Sequence, residues 1–365
     1  MTDPLKTIKP QVRALRAYTL SPDRASVKIN QNENPWEAPE RIKQETLRRL
    51  DARKWSRYPD FVPASLHEAL AKFAGWQSAG VLAGNGSNEM IQALLMVTIG
   101  AGKRVLISEP TFALYRQITT VLGGEIESVS LTADLQFDVA ELRKRIEETQ
   151  PDVTIICSPN NPTGCLLADE DLVALLQTAR GLVVVDEAYH EFANHSAAPL
   201  LRDYENLVVL RTFSKAMALA ALRVGYLLAS PELAREISKA VLPYNLNAFS
   251  QTAAEVAVEM FADQLRPLVR GIVAERERLF AGLYNIKGFT PVRSLANFFV
   301  VRSVIEPKRV VADLLSRDIL IRDVSGYPML SDYFRISVGS PEENNLLLRA
   351  LADLSQNFVS QASIS

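Results

Sequence analysis

Three short stretches of the chain carry side chains that can do chemistry. They are Asp186 and Tyr189 in "LVVVDEAYHEF", Asn160 and Asn161 in "VTIICSPNNPTG", and Ser214 and Lys215 in "LVVLRTFSK". Each follows an apolar run of strand type, so an acid, an amide and an amine are expected at the carboxyl ends of strands, where open parallel sheets collect ligands. A carboxylate can pair with a nitrogen cation, an amide and a phenol can hold a ring oxygen, and an amine can attack a carbonyl carbon. Each feature also has an ordinary structural reading. A strand-terminal Asp caps a turn, Asn-Pro-Thr-Gly makes a type I or II turn without a ligand, and a lysine after serine is commonly solvated. Three of them in this order favour the chemical reading.

A fourth stretch, "LAGNGSNEMIQALLM", adds a phosphate signal. Glycines 84 and 86 permit close backbone approach, Ser87 and Asn88 stand where they can cap the following helix, and the free N–H groups of that helix end suit an anion. A capped helix after glycines is the alternative. Arg223, eight positions after Lys215, offers a bidentate phosphate contact or is a surface arginine at a strand start. Lysine, carboxylate and phosphate-binding groups together suit pyridoxal 5'-phosphate: the amine condenses with its aldehyde, and the carboxylate keeps its ring nitrogen protonated.

These residues need a scaffold. From about residue 63, helical stretches (64–75, 87–99, 111–122, 138–148, 169–179) alternate with "RVLIS", "EIESVS", "VTIIC", "LVVVD", "LVVLR" and "RVGYLLA". Runs apolar on both faces and spaced by helices predict a mostly parallel sheet covered on both sides. The first 30 residues read as an arm or short helix followed by a strand, "SVKIN", and residues 40–51 as an amphipathic helix between two Asn/Pro-rich loops. After Pro231 the texture changes. A long helical region to about 285 is interrupted at Pro243 and Pro267, "NFFVVR", "ILIRDV" and "DYFRISVG" read as strands, 306–316 reads as a helix, and a closing helix begins at Ser-Pro-Glu-Glu near 341. The pattern is a large α/β domain with a smaller α+β domain built from both chain ends. The boundaries fall at 1–35 (an arm joining the small domain), 36–245 and 246–365.

Composition narrows the function classes. With 365 residues, 48% of them hydrophobic, the chain exceeds the ~250–300 residues of a single core, so two domains are expected. Lys and Arg number 40 against 42 Asp and Glu, a balance that predicts neither nucleic acid nor anionic membrane as a partner. No apolar run is long enough to span a bilayer, and the N-terminus lacks the apolar centre of a signal peptide. His67, His190 and His195 lie outside metal-ligand spacings, so no metal is expected. Cys157 and Cys165 flank a tight turn and point to unbridged thiols in a reducing cytoplasm. A cofactor-sensing regulator would bring a DNA-binding segment and a basic excess.

The segments "NENP", "YPD", "GNGSNE", "PNNPTG", "DEAYHEF" and "RTFSKAMALAALRVGY", in this order from about 28 to 340, resemble the histidinol-phosphate aminotransferase family of fold-type I pyridoxal-phosphate enzymes. The resemblance implies an α/β fold whose large domain has a mostly parallel seven-stranded sheet with helices on both faces, beside a smaller α+β domain. It implies transamination between L-histidinol phosphate and 2-oxoglutarate in histidine biosynthesis. An aromatic or broad-range aminotransferase is the alternative, or a decarboxylase of the threonine-phosphate type. By this resemblance Lys215 binds the cofactor aldehyde and moves the substrate's α-proton, Asp186 pairs with the ring nitrogen, and Asn161 and Tyr189 hold the ring oxygen. Ser87, Asn88, Ser214 and Arg223 hold the cofactor phosphate, and Phe112 stacks on the ring where tyrosine is usual. Tyr58 reaches the phosphate of a partner subunit, so a homodimer is implied. Arg335 takes the donor carboxylate, and Arg322 with Tyr18 and Asn34 forms the pocket for a phosphate-bearing substrate. Met217, Ala218 and Ala221 depart from the usual phenylalanine and glycines, and Asn88 from the usual aspartate.

Overall fold

The computed structural model describes residues 3–17, 19 and 22–362, with side chains to 358. Its first strand, β1 (Val27–Lys28), is only two residues long, a remnant of the expected "SVKIN". Seven strands then build one sheet: β2 (Val81–Asn85), β3 (Arg104–Glu109), β4 (Glu125–Ser130), β5 (Val153–Cys157), β6 (Leu182–Asp186), β7 (Leu207–Thr212) and β8 (Val224–Leu228). Their spatial order is β2-β8-β7-β6-β5-β3-β4, and only β8 runs against the rest. Order reverses beside β5. Successive strands go outward to β4 on one side and through β6 and β7 on the other, which opens a crevice at the carboxyl ends.

Six of these strands are the apolar runs legible in the sequence. The seventh, β2, contains Gly84 and Asn85, poor strand formers, and is held by antiparallel pairing of Gly84 with Gly225 on β8. Both faces of the sheet are buried, and alternate residues divide between them. On β7, Leu207 and Val209 enter one core while Val208 and Leu210 enter the other. Each such side chain contributes about 1.5–3 kcal/mol through burial. Helices Ser87–Thr98, Leu114–Leu122 and Pro231–Ser238 cover the second face. Helices Glu40–Asp51, Ala64–Ala74, Val139–Thr149, Asp169–Thr178 and Ala248–Glu259 cover the first. The last of these packs on helices 40–51 and 64–74, although the sequence reading assigns it to the smaller unit.

The smaller unit has its own core around β9 (Phe289–Pro291), β10 (Phe298–Ser303), the short β11 (Ile319–Leu320), β12 (Arg322–Asp323) and β13 (Tyr333–Ser337). The antiparallel order is β12-β13-β10-β9, while β11 pairs in parallel with β1. "ILIRDV" is therefore two short strands. The closing helix Pro341–Ala362 begins with a reciprocal cap: Ser340 Oγ accepts from Glu343 N at 3.2 Å, and Glu343 Oε2 accepts from Ser340 N at 2.8 Å. Among the described residues no helix is long and apolar enough to cross a membrane.

Candidate active site

A cavity of about 520 Å³ lies at the carboxyl ends of the large sheet, walled on one side by the smaller unit. Register explains its floor. Cys157 and Asp186 are Cα partners on β5 and β6 and point to the face covered by helix Leu114–Leu122. There Tyr115 meets them, its hydroxyl donating to Asp186 Oδ2 at 2.6 Å. The N–H of Ala188 donates to Asp186 Oδ1 at 3.1 Å. Burial pushes the Asp186 carboxyl up to about 6, against the pull of these two bonds. Cys157 and Cys165 are free, buried thiols.

Lys215 enters the cavity just beyond β7, its Nζ donating to Gln31 O at 2.8 Å. Burial, with the Arg335 guanidinium nearby, holds its amine down at about 7, so a large neutral fraction exists at physiological pH. Tyr189 is buried, accepts from Asn32 Nδ2 at 3.0 Å, and its ring lies 6.0 Å from Lys215 Nζ. Asn161 also lines the cavity, and its Oδ1 accepts from Arg335 at 2.5 Å. A second Arg335 nitrogen donates to Asn30 O at 2.8 Å.

The phosphate-type end is built by close backbone approach. Gly86 has φ +80°, and a Cβ there would stand 2.5 Å from the Arg223 guanidinium. A Cβ on Gly225 would stand 2.1 Å from Ser87 N. Helix Ser87–Thr98 starts with Gly86 at its cap position and no side-chain cap. This corrects the expectation that Ser87 or Asn88 caps it: both are already inside the helix and line the cavity, leaving first-turn N–H groups for a ligand. Arg223 donates to Ser214 Oγ at 2.9 Å from a left-handed backbone position (φ 53°). Phe112 lies at the cavity edge in T-shaped contact with Tyr115, 5.6 Å between centroids. The helix after it starts at Leu114 rather than at 111, which leaves Phe112 ahead of the helix, at the rim.

Arg322 and Arg335 are direct cross-strand partners on β12 and β13, so both side chains leave the same face, into the cavity. Two of the expected residues do not line it. Asn34 accepts from Trp36 N at 3.0 Å and donates to Ala216 O at 3.4 Å, bracing the loop whose neighbours Asn30–Glu33 form the wall instead. Tyr58 is 81% exposed and stacks on Tyr244 at 4.5 Å. Tyr18 lies outside the described residues. Sequence reasoning passed over Tyr115 and Asn32. Their signals were weak: Tyr115 stands three residues after Phe112, and Asn32 belongs to the quoted "NENP".

Known proteins resemble the chain over nearly its whole length. The family model described as aminotransferase class I and II matches residues 25–351. The chain is 36% identical to the histidinol-phosphate aminotransferase of Chlorobium phaeovibrioides over 351 residues, 96% of this chain and 97% of that one. It is 41% identical to histidinol-phosphate aminotransferase 1 of Carboxydothermus hydrogenoformans over 331 residues, 90% and 93% of the two chains. The histidinol-phosphate aminotransferase of Sinorhizobium meliloti, solved with pyridoxal-5'-phosphate, superposes with a TM-score of 0.86 at 25% identity, covering 96% of this chain and 98% of that one.

Proposed function

The chain belongs to the class I and II aminotransferase family, and from that premise we propose that it moves the amino group of L-histidinol phosphate to 2-oxoglutarate on pyridoxal 5'-phosphate. The products would be imidazole-acetol phosphate and L-glutamate, a step of histidine biosynthesis. Relatives of that name at 36% and 41% identity over nearly their whole length support the substrate assignment. The observation that carries the reading is Lys215: an amine held near neutrality by burial, opening into a cavity whose wall bears two adjacent arginines.

The residues fit the cofactor. The cradle at Gly86 and Gly225 has room for backbone approach but not for a Cβ, and Arg223 and Ser214 stand beside it. Asp186 is a buried carboxylate with no ion pair among the described residues, a charge that a protonated ring nitrogen would compensate. Bound there, the cofactor would supply an electron sink for the pair left at the substrate's α-carbon. Lys215 would hold its aldehyde, then accept the α-proton at Nζ and return it. Tyr189 and Asn161 would hold the ring oxygen, Ser87, Asn88, Ser214 and Arg223 the phosphate, and Phe112 the ring face. Arg335, now on Asn161 and Asn30, would turn to a carboxylate, and Arg322 would meet the substrate phosphate, with Asn34 bracing the adjacent wall.

The same reading makes the protein a cytoplasmic homodimer in which Tyr58 reaches the partner's cofactor phosphate. Supporting it, Trp55, Tyr58 and Phe61 are 84%, 81% and 65% exposed, and Tyr58 and Phe61 pack on Tyr244, apolar surface that calls for a cover. The deciding experiment is a panel of amino donors with 2-oxoglutarate, following glutamate formation and carbon dioxide release. Histidinol phosphate is the expected best donor. Preference for phenylalanine, or release of carbon dioxide, overturns the proposal.

A further inference from the structure

Asp186 is set by more than its strand. Tyr115 is fully buried and Asp186 nearly so, and the 2.6 Å distance between the phenol oxygen and Oδ2 is that of a strong charge-assisted bond. Burial and the Asp186 charge push the Tyr115 phenol far above its usual range, so the phenol remains the donor at every pH at which the protein works. With Ala188 N on Oδ1, each carboxylate oxygen carries one donor, which fixes the plane of the group. Two influences favour the neutral acid, namely burial and the adjacent Glu187 charge, and only the Tyr115 and Ala188 bonds oppose them. Ala188 donates through backbone, so Tyr115 is the side chain that decides the balance.

We infer that Tyr115 is a positioning residue, whose hydroxyl holds the Asp186 carboxylate ionised and turned so that its free lone pairs face the cofactor's ring nitrogen. The inference rests on the reading of the cavity as a pyridoxal-phosphate site. Tyr115 does not itself meet the substrate; it acts through Asp186. Its ring also supports Phe112 from the side, a packing role that loss of the hydroxyl alone leaves in place.

Tyr115→Phe removes the hydroxyl and keeps the ring. The measurement is cofactor affinity of the apo-protein, by quenching of protein fluorescence, from pH 5 to 9. An ionised Asp186 binds the protonated ring, so affinity falls on the acid side as Asp186 takes a proton. Removing a bond to the ionised form raises the pH of that fall. The expected result is an acid limb moved up by about one pH unit, which weakens Kd about tenfold at pH 5 and only about twofold at pH 7. Incorporating 3-fluorotyrosine, a stronger donor, moves the limb down. In an Asp186→Asn background, Tyr115→Phe changes Kd less than about twofold even at pH 5. A loss of affinity uniform across pH, or equal in both backgrounds, shows packing alone and overturns the inference. Failure of the wild-type protein to bind the cofactor overturns the reading of the site, and this inference with it. An unmoved acid limb in Tyr115→Phe overturns the inference alone.

Discussion

The floor of the cavity and its arginine wall are built on different principles. On the floor, three groups are already held: Asp186 by Tyr115 and Ala188 N, Arg223 by Ser214, and Tyr189 by Asn32. These residues sit at the ends of strands whose two faces are core, so their positions are set by packing. On the wall, Arg322 and Arg335 oppose each other across β12 and β13. Arg335 is held by Asn161 and Asn30, whereas Arg322 forms no hydrogen bond or ion pair among the described residues. A group that stays through every turnover is served by fixed partners, because no reorganisation is needed at the moment of reaction. On the proposed reading, a site that must accept a phosphate monoester in one half-reaction and a dicarboxylate in the other would keep one cation available to either.

The largest expected effect breaks the floor. On the proposed reading Lys215→Ala would remove both the covalent attachment and the proton carrier, and glutamate formation should fall by about 10⁴-fold or more. Retained turnover within tenfold of wild type would remove the lysine from the chemistry. Next comes the wall. Arg322→Ala should raise the KM for histidinol phosphate by about 10–100-fold, while cofactor affinity, measured on the same protein, stays within about twofold. If Arg322→Ala weakens the cofactor as strongly as Asp186→Asn does, the two regions are not separable.

The difference also shows in what the sequence made legible. Asp186, Asn161 and Lys215 announce themselves because each follows an apolar run, and local pattern is enough to put a residue at a strand end. The partners that fix them are not local. Tyr115 is 71 residues from Asp186, and Asn32 is 157 from Tyr189, so only the sheet order brings them together. β2 was hidden because Gly84 and Asn85 are there for close approach to β8 and the helix start, at the expense of strand propensity. Arg322 and Arg335 could be picked out by resemblance, but that they face each other follows from antiparallel register alone.

A smaller effect tests whether the floor is strained before it binds anything. The folded Lys215 amine titrates at about 7 against an ordinary lysine value of 10.5. Between those pH values the unfolded chain holds a proton that the folded protein lacks, so stability of the apo-protein should rise with pH across that window. Below about 7 both states are protonated and the full cost of burying the ammonium is present. Urea midpoints at pH 6, 8 and 10 for wild type and Lys215→Met measure it. Lys215→Met should be the more stable at pH 6 and lose part of its advantage by pH 10. A constant difference between the two proteins would place Lys215 in solvent.

The smallest effect belongs to the wall. Like charges directly opposite in an antiparallel pair are destabilising by roughly 0.2–1 kcal/mol, and β12 is an edge strand only two residues long. Arg322→Thr removes the repulsion and adds a good strand former, so the apo-protein should gain a few tenths of a kcal/mol in urea unfolding while losing activity on histidinol phosphate. The propensity part of the gain is indifferent to salt. The charge part should shrink toward 1 M salt, where screening acts over about 3 Å. A gain that survives high salt intact would mean that the two guanidinium groups do not repel, and that Arg322 is held as firmly as the groups on the floor.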